Sequence, residues 1–190
     1  YDGGDYVRQF LYNRLNDPEW SFVFGDSFAM IFVRNVEENR EIIDHYRITP
    51  ENVEFRLSEL KHAEDFDGKV AYADIANLMG RTDLGMETFR DIIRIWPENG
   101  KMWSVTAQWE LVRNGPDSAR IAAAYLEKAL ALGYDGAETY SFLGLAYARL
   151  GDNERAREVL EKALSINPNR VDAKSLLAEI VAIESGEGVE

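Results

Sequence analysis

Residues 137–170, AETYSFLGLAYARLGDNERAREVLEKALSINPNR, show the clearest helical pattern of the chain. Its apolar residues recur at helical spacing, and Pro168 ends the pattern because proline cannot continue a helix. Gly144 and Ala156 are small, so two helices can approach closely at these positions. Larger side chains are expected to fill the space around that contact: Tyr140, Leu143, Tyr147 and Leu160. This spacing predicts an antiparallel helix pair.

The ends of the two helices carry capping signals. Asp135 with Glu138 has the spacing of a capping box for the first helix, and Asp152 precedes the second. A side-chain oxygen at such a position accepts a hydrogen bond from a backbone N–H that the helix leaves unpaired. We predict that both helices are capped in this way.

The same 34 residues resemble the tetratricopeptide repeat (TPR) in residue type and spacing at eight positions. These are Tyr140, Leu143, Gly144, Tyr147, Ala156, Leu160, Ala163 and Pro168. In this resemblance Ala163 leaves room for the next repeat. It implies a mainly α fold, an antiparallel α-α solenoid that has no catalytic role of its own and binds other proteins.

Two further stretches resemble the repeat with departures. Residues 66–99 carry Ile92 where alanine is usual, so we expect looser packing onto the next unit. Residues 100–136 are longer, and Tyr134 replaces the closing proline. Residues 171–184 read as a capping helix, and 185–190 as a tail. We therefore predict a solenoid over 66–184 with three TPR units plus that helix.

The N-terminal third follows a different pattern. We predict a small α+β segment over residues 1–50, with a β-hairpin at about 20–33 and a following helix, and then a connecting helix over 51–65. Alternation would place Phe22, Phe24 and Phe32 on one face, and both faces are apolar. Because an isolated hairpin is marginal in water, we expect it to pack on nearby helices, to join strands upstream, or to pair with a second copy.

Residues 6–50 resemble the segment after the last membrane span of bacterial polytopic glycosyltransferases of the dolichyl-phosphate-mannose-transferase type. The resemblance rests on Asp17-Pro18-Glu19-Trp20, Val23-Phe24, Asp26, Ala29, Phe32-Val33-Arg34-Asn35, Asn39 and Ile42-Ile43. It implies a soluble tail of a larger membrane protein on the extracytoplasmic side. None of that family's catalytic residues corresponds to a residue here. The start at Tyr1 fits a fragment or a processed product.

Composition excludes several classes of function. The formal net charge is −13 and there is no cysteine, so we expect no nucleic-acid partner, disulfide or thiolate metal site. No apolar run is long enough to span a bilayer. The sequence has two histidines, His45 and His62, and we expect both to lie on the outer faces of helices. We therefore predict no catalytic residues, no cofactor and no metal.

The tryptophans allow more than one interpretation. Trp103 lies at the aromatic position of its repeat, where a core role is favoured. Trp109 is off that register, and its role stays open between a binding groove and an interface. Together with Trp96, these side chains are also of the type that stacks on sugars or proline-rich peptides.

The sharper hypothesis is a peptide groove lined by the first helix of each repeat. The register assigns to it Asp67, Val70, Asp74, Asn77, Lys101, Ser104, Gln108, Leu111, Glu138, Ser141, Leu145, Arg149, Asp172, Ser175 and Glu179. TPR domains that grip a C-terminal carboxylate use Lys and Asn where this chain has Val70 and Asp74, so that clamp is absent. The lining leans acidic and predicts a basic or neutral extended segment as the ligand.

The sequence thus predicts a non-catalytic protein-interaction module that uses a concave TPR groove, as the soluble C-terminal tail of a larger membrane protein. Two alternatives stay open: a substrate-positioning accessory domain of a membrane-bound glycosyltransferase, and a free soluble TPR adaptor. The first two place the chain on the extracytoplasmic face of a bacterial membrane, and the third places it in the cytoplasm.

Overall fold

A computed structural model describes residues 3–185, and the predicted mainly α fold with a small β-hairpin is confirmed. The helices are α1 (Gly3–Leu15), α2 (Arg40–Tyr46), α3 (Val53–Arg56), α4 (Ser58–Lys61), α5 (Phe66–Leu78), α6 (Thr82–Ile95), α7 (Gly100–Arg113), α8 (Ser118–Ala131), α9 (Ala137–Arg149), α10 (Asn153–Ile166) and α11 (Val171–Ser185). The strands are β1 (Trp20–Gly25) and β2 (Met30–Arg34), and Glu37–Asn39 forms a 3-10 turn. The chain divides into two compact units between Ile92 and Ile93.

In the second unit, successive helices pack into one apolar core. Helix α7 packs on α8, α8 on α9, α9 on α10, and α10 on α11. Gly144 of α9 lies against Leu160 of α10, and a Cβ built on Gly144 would come within 2.5 Å of the Leu160 Cγ. Ala129, Ala156 and Ala163 are fully buried. Small residues therefore set the close approach of the helices, as the sequence predicts.

A polar cluster holds three of these helices together around Tyr147. The Tyr147 hydroxyl of α9 donates a 2.6 Å hydrogen bond to Glu127 of α8. The guanidinium of Arg155, on α10, lies 4.4 Å from the centre of the Tyr147 ring. Burial raises the pKa of the Tyr147 hydroxyl to about 12, and the hydrogen bond to the Glu127 carboxylate adds to that increase.

The two predicted caps have different outcomes. Asp152 caps α10 as predicted, because its carboxylate accepts from the Arg155 backbone N–H at 3.1 Å. The capping box at Asp135 and Glu138 is wrong: Gly136 occupies the N-cap of α9, and no side chain bonds there. Asp135 lies one residue too early to reach the free amides of the first turn.

In the first unit, the hairpin contains a β-bulge that reassigns its faces. Phe22 pairs with Phe32, but Phe24 pairs with Ile31, so Val23 is an extra residue in β1. The expectation that Phe22 and Phe24 share a face is therefore wrong. Phe22 is buried against Phe32, with ring centres 5.2 Å apart, whereas Phe24 is 46% exposed on the opposite face.

The inner face of the hairpin joins the core of the first unit. Phe22 packs in one cluster with Val53 and Tyr72, both fully buried. The Ile48 amide donates to the Phe22 carbonyl at 2.8 Å and covers the outer edge of β1 there. At the start of β1, the Arg14 guanidinium lies 4.3 Å from the Trp20 ring. Residues 51–65, predicted as one connecting helix, hold the short helices α3 and α4.

The described helices do not include one that is both long and apolar enough to cross a membrane.

Candidate functional site

Helices α7, α9 and α11 of the second unit lie side by side and carry most of the predicted groove residues. Ser141 of α9 donates a 2.7 Å hydrogen bond to the Asp172 carboxylate at the start of α11. The Arg149 guanidinium, at the other end of α9, donates to the backbone carbonyl of Leu111 on α7 at 2.7 Å. These two bonds tie the three helices together, so their common face, which we call the α7/α9/α11 face, is pre-organised.

Not all predicted residues are accessible on this face. Ser104, Leu111 and Ser141 are buried among the helices, and a ligand cannot reach them without a rearrangement. The predicted residues that stay exposed or half-buried are Lys101, Gln108, Glu138, Leu145, Arg149, Asp172, Ser175 and Glu179. Their role in binding stays a prediction.

The charges on this face are close to balanced. Arg170 bonds the Asp172 carboxylate at 2.6 Å and 3.0 Å, so it adds a cation that the groove register omits. Burial opposes ionisation of Asp172, but the hydrogen bonds from Arg170 and Ser141 outweigh it and lower the pKa of this carboxyl to about 2. Asp172 is therefore a paired anion at pH 7, and its charge is largely compensated by Arg170.

In the first unit, α5 carries the other four predicted positions. Asp67 is exposed, Val70 and Asp74 are half-buried, and Asn77 is buried. The amide of Asn77 lies against Gly85 of α6, where a Cβ would come within 2.3 Å of its oxygen. Asp67 follows Asp65, which caps α5 by accepting from the Gly68 amide at 2.7 Å. Asn77 is thus part of the packing between α5 and α6 and does not face solvent.

A surface pocket lies between the α6–α7 and α8–α9 turns, and of its lining residues the groove register includes Lys101 alone. It encloses about 750 Å³ and is lined by Trp96, Pro97, Lys101, Leu132 and Tyr134, among others. Gly100 makes the close approach possible, because a Cβ there would lie 2.9 Å from the Tyr134 Cβ. The sequence signal was Tyr134 in place of the closing proline, together with the Trp96-Pro97 turn.

The remaining candidate side chains have structural roles or stay unassigned. The Trp103 indole N–H donates to the Pro97 carbonyl at 2.8 Å, and its ring packs edge-on against Tyr125 at 5.2 Å. Trp109 is half-buried, and both interpretations of it remain.

His45 and His62 are exposed, and His62 Nδ1 lies 2.8 Å from the Ser58 carbonyl oxygen. Residues 3–185 contain no group of three or more His, Asp or Glu side chains arranged to hold a metal ion.

Comparisons with known proteins agree with the repeat. Residues 137–170 match the family model of the tetratricopeptide repeat. None of the curated protein sequences compared with this chain matches it.

Solved structures similar to this chain include TPR domains. MamA is 17% identical, with a TM-score of 0.62 over 82% of this chain and 87% of its own. The first TPR domain of Spaghetti (RPAP3), solved bound to the HSP90 peptide SRMEEVD, is 20% identical, with a TM-score of 0.57 over 62% of this chain and 90% of its own. The Sgt2 TPR domain of Aspergillus fumigatus is 21% identical, with a TM-score of 0.56 over 65% of this chain and 83% of its own. This chain therefore carries a TPR and has the fold of TPR proteins.

Proposed function

We propose that this chain is a non-catalytic protein-interaction module whose α7/α9/α11 face binds an extended peptide segment. The observation that supports this most is the pair of hydrogen bonds, Ser141 to Asp172 and Arg149 to the Leu111 carbonyl, that fix three helices into one surface. A surface that is ordered before binding loses little conformational entropy when a peptide adds to it. Gln108 and Ser175 supply side-chain groups able to bond a peptide backbone.

The charge on the face favours a neutral segment in this unit. Lys101, Arg149 and Arg170 balance Glu138, Asp172 and Glu179. In α5 of the first unit, Asp67 and Asp74 favour a basic residue in any segment bound there. The acidic HSP90 peptide bound by the similar Spaghetti domain is of a different type, and Val70 and Asp74 here do not supply cations for it.

Peptides selected from a random library on the immobilised chain test this proposal. The double variant Gln108→Ala, Leu145→Asp should weaken their binding about tenfold or more, because it removes a hydrogen-bonding group and an apolar contact. Lys162→Ala is the control, since Lys162 is exposed on α10 and away from this face. Equal binding by all three proteins would contradict the assignment.

We also propose, as a second candidate, that the module is part of a larger membrane-associated protein, with a glycosyltransferase accessory role as its narrower form. The observation that favours it is the apolar surface of the first unit, where Tyr6, Phe28 and Phe55 are all more than three-quarters exposed. Such side chains are expected to be covered in the complete assembly.

Fractionation of source cells separates this candidate from a free adaptor. An antibody to this chain should detect a band far above 21.6 kDa in membranes, released only by detergent. A band near 21.6 kDa in the soluble fraction would instead identify a free adaptor.

A further inference from the structure

One wall of the pocket between the α6–α7 and α8–α9 turns is built from Trp96 and Pro97. The Trp103 indole N–H donates to the Pro97 carbonyl at 2.8 Å and fastens this turn to α7. The Asn99 side chain caps α7 by accepting from the Met102 amide at 3.2 Å, so it is already engaged in the fold. This wall is therefore ordered before a ligand arrives.

The other wall is the α8–α9 turn, which contributes Leu132 and Tyr134. Gly133 has a φ of 80°, and its amide donates to the Leu130 carbonyl at 2.9 Å. The Tyr134 amide donates to the Ala129 carbonyl at 3.0 Å. These two bonds form a Schellman motif, which ends α8 and fixes the position of Tyr134. A proline at position 134 would lack the N–H that this motif uses.

Two of the lining residues are charged and unpaired. Glu98 and Lys101 are exposed, and neither makes a hydrogen bond or an ion pair within residues 3–185. Apart from Asn99, the rest of the lining consists of aromatic, aliphatic, proline and glycine residues. The volume of about 750 Å³ lies in the range of pockets that hold a ligand. The pocket thus combines an aromatic, mostly apolar surface with one free anion and one free cation.

We propose that this pocket binds a proline-rich segment of a partner protein in the polyproline II conformation. Proline rings pack well on tryptophan and tyrosine side chains, here Trp96 and Tyr134. Because proline has no N–H, its burial in an apolar pocket leaves no backbone donor unpaired. Glu98 and Lys101 call for a basic residue on one side of the prolines and an acidic residue on the other.

A sugar fits the same aromatic side chains less well. Its hydroxyl groups need several hydrogen-bond partners when they are buried. Of the three polar side chains in the lining, Asn99 is engaged as the cap of α7, and only Glu98 and Lys101 remain. The observations therefore favour the proline-rich segment over a sugar.

This proposal does not rest on the proposed function. The pocket shares Lys101 with the α7/α9/α11 face, but Gln108 and Leu145, which test that face, do not line it. All the lining residues belong to the second unit. Different variants therefore test the two sites, and a failure of one is distinguishable from a failure of the other.

A labelled peptide with five consecutive prolines, preceded by arginine and followed by glutamate, tests the proposal. It is titrated with the full chain and followed by fluorescence anisotropy. Trp96→Ala should weaken binding at least about tenfold, because it removes the largest aromatic surface of the pocket. Glu98→Lys should weaken it about two- to fivefold, because it replaces an attraction to the arginine with a repulsion.

A matched pair of variants keeps the test independent of the folding of Trp96→Ala. Ile95→Gln, at a lining residue that is 48% exposed, should weaken binding about threefold or more. Val112→Gln is the control, since Val112 is 66% exposed and outside the lining, and like Ile95 it lies in the last turn of its helix. Its affinity for the peptide should equal that of the unmodified chain. Circular dichroism of each variant checks the fold.

Four results would overturn the proposal. The first is no binding of the peptide to the unmodified chain, and the second is equal binding of a peptide with alanines in place of the prolines. The third is binding that persists in Trp96→Ala and Ile95→Gln but is lost in the double variant Gln108→Ala, Leu145→Asp, which would place the peptide on the α7/α9/α11 face. The fourth is binding of cellopentaose, lost in Trp96→Ala, without binding of the peptide, which would assign the pocket to a sugar.

Discussion

The repeat at residues 137–170 and the hairpin at residues 20–34 are both rich in apolar side chains. The repeat buries most of them, whereas the hairpin leaves several exposed. Within the repeat, the large apolar residues that remain exposed are Leu150 and Ile166, close to or at helix ends. In and around the hairpin, Phe24, Phe28 and Ile31 are all exposed. A repeat in a solenoid packs against the adjacent repeats on both sides, whereas the hairpin packs against helices on its inner face alone.

The free energy of folding is therefore concentrated in the repeat and not on the open face of the hairpin. In the repeat, the buried apolar side chains lie between two helices, and removing one of them leaves a cavity. On the open face of the hairpin, the same kind of side chain contributes little to folding and is available to a partner. The comparison gives four tests, ordered by their expected effect on stability.

The largest effect is expected at Leu160. Leu160→Ala should lower the free energy of unfolding by about 3 kcal/mol, since Leu160 is fully buried against Gly144 and its removal leaves a cavity. Phe28→Ala, at a residue that is 93% exposed, should change it by less than about 0.5 kcal/mol. Urea unfolding followed by circular dichroism measures both. Similar losses in the two variants would contradict the contrast between repeat and hairpin.

A smaller effect is expected at the helix caps of the repeat. Asp152→Ala should cost about 1 kcal/mol, because it removes the acceptor for the Arg155 amide at the start of α10. Asp135→Ala should cost almost nothing, because the N-cap of α9 is Gly136. Thermal unfolding of the two variants measures the difference. Equal losses of stability would mean that Asp135 does cap α9, contrary to the structure.

These outcomes show what the sequence could and could not predict. The helix pair at 137–170 was predictable because each apolar position has one role at fixed spacing. The bulge at Val23 was not, because one inserted residue moves Phe24 to the other face without changing the alternation in the sequence. The predicted cap of α9 was wrong for a related reason. Gly136 has no side chain, so the sequence contains no capping signal at the residue where the helix begins.

The candidate surface was predictable to a similar degree. The register placed Ser141 and Arg149 on α9, and both do reach the neighbouring helices. It could not separate positions that face solvent from those that face the next helix, so Ser104 and Leu111 were included although they are buried. Apart from Lys101, the residues that line the pocket beside Tyr134 were not predicted by the register, since the pocket is formed by turns that are distant in the chain.

The third test uses pH on the bond between α9 and α11. The pKa of Asp172 is lowered from 3.8 to about 2 in the folded protein, so its contribution to stability is present above pH 4 and lost as the pH falls towards 2. Asp172→Asn should therefore be less stable than the unmodified chain at pH 7, by less than about 1 kcal/mol because the side chain is half exposed.

Chemical denaturation between pH 7 and pH 2 measures that difference. It should stay constant down to about pH 4 and vanish near pH 2, where both proteins lack the charge. A difference that does not change with pH would mean that Asp172 acts through its shape and not through its ionised form.

The smallest effect on stability is expected on the open face of the hairpin. We propose that this face supports self-association, as the sequence suggests. Phe24→Ser with Ile31→Ser should then reduce the mass measured by light scattering to that of a monomer, while stability changes by less than about 1 kcal/mol. Phe22→Ser is unsuitable for this purpose, because Phe22 is buried in the core of the first unit. An unchanged mass would contradict self-association through the hairpin.

The contact of Arg14 with Trp20 has an optical consequence. Trp20 is the single tryptophan before Ile92, and Trp96, Trp103 and Trp109 all follow Ile93. Its ring lies close to a guanidinium, so unfolding of the first unit should change its emission as that contact is lost. In a Trp20→Phe variant, all indole fluorescence comes from the second unit. The emission of that variant follows the unfolding of the second unit, and the difference between the two emission curves follows the unfolding of the first.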